Sequence, residues 1–164
     1  MTRTFSPLSP RPVGVLLGAL ALTALAASPA AAAEGRVDGT ISAEGQSCSW
    51  TDGITSDQAP NGLTVDRTSI NPSGGNLTCE GSTTAALNND PNVSFDDSAG
   101  TLTADLLDIS VTIIGITCRY QAVDLPVERE GDTRTYSTTA DIPLYDGSFL
   151  CPDPASVDAT FTFR

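Results

Sequence analysis

Along most of the chain, apolar positions alternate with polar ones. Val157, Ala159, Phe161 and Phe163 alternate with Asp158, Thr160, Thr162 and Arg164, the pattern of a strand with one face buried and one in water. Leu107, Ile109, Val111 and Ile113 alternate with Asp108, Ser110 and Thr112 in the same way. The phase then shifts: Ile114, Ile116, Cys118 and Tyr120 become the apolar set, with Gly115 at the change. This predicts a bulge or bend at Gly115 that switches the buried face. Further strands are expected at 36–42, 46–50, 62–65, 76–79, 101–106, 133–138 and 147–151, punctuated by Gly, Pro or Asn. No stretch after residue 33 keeps an apolar stripe at helical spacing. About nine short strands in one domain predict an all-β, antiparallel β-sandwich, with a barrel as the lesser alternative.

The chain also matches itself when displaced by 70 residues. Residues 37–42 then lie over 107–112, and 45–50 over 115–120, the latter pair reading Gly, any residue, Ser or Thr, Cys, any residue, aromatic. With the displacement grown to 72, residues 75–79 lie over 147–151, both reading Gly, any, apolar, any, Cys. This agreement predicts a sandwich built from two related halves, about 37–98 and 107–164, within a single domain at 34–164. It also selects the disulfides Cys48–Cys79 and Cys118–Cys151, because a unit that closed its own bridge before duplication would keep it. Closing loops of about 32 and 34 residues stabilises a fold by about 3.7 kcal/mol each on entropic grounds.

The first 33 residues follow another pattern. Arg3 and Arg11 precede an apolar run at 13–27, and Ser28, Pro29 and four alanines follow. That is the order of a secretory signal peptide, with cleavage between Ala30 and Glu34. The run is 15 residues long, short of the roughly 20 that span a bilayer. The two arginines are not adjacent, as a twin-arginine signal requires, and no cysteine precedes Cys48 to take a lipid. The expectation is a protein that is secreted, extracellular or non-covalently associated with the cell envelope, with no membrane contact after cleavage.

Export would place the four cysteines in an oxidising compartment, where bridging is the default. Their sequence gaps of 31, 39 and 33 lack the close cysteine pair of a zinc site. All twenty acids but only six of the eight arginines lie after residue 33, giving a formal charge of −14 there. Such a surface repels phosphate backbones and anionic lipid, so nucleic acid is excluded as a partner. The chain has no lysine and no histidine. Histidine-dependent nucleophiles and zinc sites, Schiff bases and P-loops are therefore excluded. Only carboxylate-pair chemistry survives, and no pattern among the acids points to it. The expectation is no enzyme and no cofactor.

Asn88, Asp90 and Asn92 at alternate positions, followed by Asp96 and Asp97, resemble the opening of a calcium loop. Val93 and Ala99 stand where that loop needs Gly and Glu, so the turn-forming habit of Asn and Asp is the favoured account. Trp50 and Tyr120, each two residues after a cysteine, are expected to pack in the core beside the disulfides. Tyr136 and Tyr145 are expected to be exposed binding contacts.

Three stretches resemble a group of uncharacterised exported actinobacterial proteins with no assigned function. They are 93–101 (Val-Ser-Phe-Asp-Asp-Ser-Ala-Gly-Thr), 115–120 (Gly-Ile-Thr-Cys-Arg-Tyr) and 147–152 (Gly-Ser-Phe-Leu-Cys-Pro). The resemblance implies export, two disulfides and a β-rich domain, and transfers no active site. Chromoprotein carriers are similar in size, acidity and bridge number, at the level of fold alone. The leading expectation is a monomeric, non-enzymatic sandwich that binds an extracellular protein or glycan through loops at one end. A carrier of a small apolar ligand would instead show a sizeable apolar cavity. An inhibitor would show a convex braced loop, and a hydrolase two acids in a cleft. Mass analysis of protein recovered from culture medium should find its first residue between Ala31 and Glu34; recovery of material retaining residues 13–27 would contradict the signal-peptide reading.

Overall fold

The computed structural model describes residues 34–164. The expected signal peptide, residues 1–33, lies outside the described residues. Eleven strands follow one another: β1 (Gly35–Ala43), β2 (Gln46–Thr55), β3 (Leu63–Thr64), β4 (Thr78–Cys79), β5 (Thr83–Leu87), β6 (Asn92–Asp96), β7 (Thr101–Ile113), β8 (Ile116–Arg129), β9 (Thr135–Ile142), β10 (Leu144–Gly147) and β11 (Ala155–Phe163). The only helical segment among the described residues is a single 3-10 turn at Arg67–Ser69, capped by the Asp66 carboxylate accepting from Thr68 N–H. The all-β class is as expected.

The strands pair antiparallel in the order β3-β6-β7-β8-β9-β11-β1-β2-β4, with β5 added to β7 and β10 to β8. The sheet doubles over into a sandwich. One layer is β9-β11-β1-β2-β4; the other is β5, the later part of β7, the early part of β8, and β10. At one end the layers are joined on both flanks. Glu128 and Arg129 of β8 pair with Ser137 and Tyr136 of β9, and Thr55 of β2 bridges to Val65, just past β3. This end is closed almost as a barrel, with Phe95, Tyr136 and Phe163 packed inside it at ring separations of 5.6, 5.2 and 6.0 Å. At the other end β8 pairs with β10 instead, and the layers stay apart.

One hairpin serves both ends because its buried face changes part-way along. In β7, Leu102 and Ala104 are buried and then Leu107; in β8, Tyr120 and Ala122 are buried and then Leu125 and Val127. The change falls in the unpaired step between Ala104↔Leu125 and Leu106↔Val123, where Asp124 adopts a φ of 51°. Asp tolerates that left-handed conformation better than most side chains. A similar change occurs in β2 at Asp52, φ 56°, where the pairing with β1 slips between Val37 and Gly39.

The face switch expected at Gly115 is therefore misplaced. Ile114 and Gly115, with φ of 49° and 78°, form a two-residue hairpin turn of the kind that matches strand twist. Such a turn puts Ile113 opposite Ile116, so the parity of inward positions flips without any change of face. Glu44 and Gly45 make the same turn between β1 and β2, with φ of 49° and 74°. Residues 147–151, expected as a strand, leave β10 at Gly147 and close a turn through Cys151 N–H to the Ser148 carbonyl. β5, β6 and the Leu144–Asp146 part of β10 were not anticipated.

Both disulfides are those selected by the internal match: Cys48–Cys79 and Cys118–Cys151. Trp50 and Tyr120 are buried, each 8% exposed, as expected. Trp50 lies over Gly39, where an added Cβ would come within 2.1 Å of indole Cζ2. A Gly39→Ala substitution should cost about 1–3 kcal/mol through overpacking, read as a lower urea midpoint with a changed Trp50 emission spectrum. An unchanged midpoint would show that the indole moves aside freely.

Candidate functional site

The separation of the layers at the open end leaves a cavity of about 470 Å³ between them. Val37, Leu102, Val127 and Phe163 form its floor near the closed end. Ile41 and Trp50 line it from one layer, and Leu107, Ile109, Val111 and Tyr120 from the other. The exposed residues of the lining, Glu44, Ile113, Leu150 and Pro152, all lie at the open end. The mouth is thus between the β1–β2 and β7–β8 turns. Ile114 and Phe149, next in sequence to Ile113 and Leu150, are 83% and 95% exposed and extend the apolar rim.

The two disulfides brace this mouth. Cys48, Cys118 and Cys151 belong to the lining. One bridge fastens β2 to β4, and the other fastens β8 to the turn behind β10.

Polar groups are few inside. Glu44 is the one charged residue of the lining. Thr83 Oγ1 donates to Gln46 Oε1 at 2.9 Å, and the Tyr120 hydroxyl donates to the Pro152 carbonyl at 3.1 Å. Burial, aided by the negative charges of Glu44 and Asp153, pushes the Tyr120 phenol above its ordinary value. Trp50 Nε1–H is buried without a partner.

The outer side of the β7–β8 wall is held differently. Asp108 is 4% exposed and accepts from Arg119 Nε and Nη2 at 2.9 and 2.5 Å, from Asn88 Nδ2 at 2.8 Å and from Gln121 Nε2 at 2.8 Å. The Arg119 guanidinium in turn covers the Tyr145 ring on β10, 5.0 Å from its centre. One carboxylate therefore ties together the chain behind β5, β7 and β8, and its arginine reaches β10.

Other residues singled out in the sequence lie elsewhere. Tyr136, expected as an exposed contact, is 1% exposed; it is an inward position of β9, stacked edge-on with Phe163 at the closed end. Tyr145 is exposed as expected, 60%, but on the outer face. The five calcium candidates are dispersed among protein partners. Asn88 holds Asp108, and Asp90 accepts Arg67 N–H. Asn92 donates to Asp105, Asp96 accepts from Ser98 and Ala99, and Asp97 takes Arg129 and Arg134. No group of three or more metal-ligating side chains occurs among the described residues, and no helix among them is long and apolar enough to cross a membrane. No protein-family model, curated protein or solved structure matches this chain.

The cavity itself was not read from the sequence. Two signals pointed to it: the apolar alternation of β7 runs undiminished to the turn, and small residues recur where a filled core needs bulk. Ala43, Ala85, Ala86, Ala104 and Ala155 all line the space.

The Arg119 partner, with Asn88 and Gln121, holds the Asp108 carboxyl well below the usual carboxylate range. A depressed folded-state value contributes stability that is present above the ordinary pKa of about 3.9 and is lost as pH falls below it. Asp108→Asn should cost about 2–3 kcal/mol at neutral pH, less than a fully buried pair because Arg119 is 39% exposed. Urea titrations should show that cost shrinking between about pH 4 and pH 2; an equal cost across that window would contradict the ion-pair account.

Proposed function

We propose that this chain is an exported, non-catalytic binding domain that holds a small, largely apolar molecule in the cleft between its layers. The observation that carries this reading is the cavity of about 470 Å³, within the roughly 300–1,000 Å³ of sites for drug-sized ligands. It is the feature that separates a carrier from a protein or glycan binder and from a convex inhibitor. The leading sequence expectation placed recognition on loops at one end of the domain; the mouth lies between the β1–β2 and β7–β8 turns. The interior behind them is apolar, which suits neither a glycan nor a charged peptide.

The absence of histidine and lysine and the engagement of Asp108 by protein partners support a non-catalytic role. A second reading, a protein partner seated on the rim, draws on the exposure of Ile114, Phe149 and Leu150.

Nile red, an uncharged apolar dye, tests the first reading against the second. It should bind one per chain with blue-shifted emission and quench Trp50, the sole tryptophan. An Ala85→Phe substitution, which fills the cleft and leaves the rim untouched, should weaken that binding at least tenfold while leaving the urea midpoint unchanged or higher. Dye binding that survives the filled cleft would shift the site to the rim, and no binding at all would sink the carrier reading.

A further inference from the structure

We propose that the cleft takes an amphiphilic monocation, with its apolar body between the layers and its ammonium head at the mouth against Glu44 and Asp153. The inference rests on the cleft being a ligand site; it specifies which end of the ligand stays outside and what charge that end carries. The polar side chains of the lining are already engaged. Thr83 Oγ1 donates to Gln46 Oε1 at 2.9 Å, Gln46 Nε2 to the Gly45 carbonyl at 3.4 Å, and the Tyr120 hydroxyl to the Pro152 carbonyl at 3.1 Å. The floor formed by Val37, Leu102, Val127 and Phe163 is apolar. A polar group carried that deep would lose its water and gain no free partner. The polar function of the ligand therefore stays at the open end.

The charge at that end is negative. Glu44 sits on the β1–β2 turn and is the one charged residue of the lining; Asp153 follows Pro152, also of the lining, and both acids are exposed. Each is near enough to the Tyr120 phenol for its charge to help hold the phenolic proton, so the two act on the same part of the mouth. Nothing cationic offsets them. The chain has no lysine or histidine, and the six arginines among the described residues pair with other carboxylates, none of them Glu44 or Asp153. The formal charge of −14 after residue 33 has the same sign, which draws in a cation and repels an anionic amphiphile. The rest of the rim, Ile113, Ile114 and Phe149, is exposed and apolar. Such a rim suits a weakly hydrated quaternary ammonium better than a compact cation that keeps its water shell.

Decyltrimethylammonium, 1-decanol and decyl sulfate share one chain and differ in the charge of the head. Each is titrated calorimetrically into the native protein below its micelle-forming concentration. The cation should bind one per chain and, at about 10 mM salt, about tenfold or more tighter than the sulfate. That ratio should fall to about threefold or less at about 0.5 M salt, where exposed charges are screened, while decanol affinity barely changes. Tetramethylammonium, the head without the chain, should not bind measurably. Glu44→Gln should weaken the cation about 3- to 5-fold at low salt and leave decanol unchanged. Glu128→Gln, the same loss of charge at the closed end, should change neither affinity by as much as about twofold. A sulfate that binds as tightly as the cation, or equal losses in the two glutamine variants, would overturn the assignment of the head; decanol binding would then leave the carrier reading standing. Failure of both decanol and the cation to bind would remove both. The comparison of cation with sulfate uses the unaltered protein, so it decides the matter even if a variant does not fold.

Discussion

The architecture depends on a change of face within one long hairpin. If β7 and β8 kept a single parity of inward positions along their 13 and 14 residues, their apolar side could serve only one environment. The unpaired step at Asp105 and Asp124 lets the Leu102–Val127 half close against β6 and β9. The Leu107–Tyr120 half then becomes the wall of an open cleft. A local backbone choice at Asp124, in the step where Asp105 is also unpaired, thus divides the domain into a packed end and an accessible end. In β2 the slip at Asp52 does the corresponding work for the opposite layer.

An interior that side chains do not fill gives up the dispersion contacts that normally hold two layers together. The walls of the open end must therefore be braced from their margins. Each layer receives a disulfide there, and the β7–β8 wall is also held from outside by Asp108 and the groups it gathers. Such a carboxylate, almost wholly desolvated yet satisfied by four donor contacts, trades strength for geometry: its partners must lie where they do or the charge is left uncompensated.

The period-two alternation made the class of fold and most of the strands legible, because it is set by which face meets water. The bridge pairing was legible too, through the spacing that Cys48, Trp50, Cys118 and Tyr120 share with the glycines before them. Other features were not. The parity change around Gly115 looks the same in sequence whether a strand bulges or reverses, and only the partner opposite Ile113 distinguishes them. The short β5 and β6 carry too few apolar residues to stand out, and the oxygen-rich run before β6 suggested ligands where it makes turns and holds neighbouring strands. Tyr136 was misassigned because a phenol is compatible with either face, and its burial is decided by Phe95 and Phe163, remote in sequence. The cavity is a property of the distance between layers, which no single strand encodes.

The ends of the described domain meet at the packed pole. Arg36 and Arg164 exchange backbone hydrogen bonds in both directions, each 2.8 Å, and the Arg164 guanidinium reaches Asp38 and Asp52 at 2.7 and 3.0 Å. A tether, tag or solid support attached at residue 34 or residue 164 would therefore leave the cleft pointing away from it. The same adjacency makes the domain suited to circular permutation: a short linker could join residues 34 and 164, and new ends could be opened at the Glu44–Gly45 turn, converting one lip of the mouth into a pair of free chain ends.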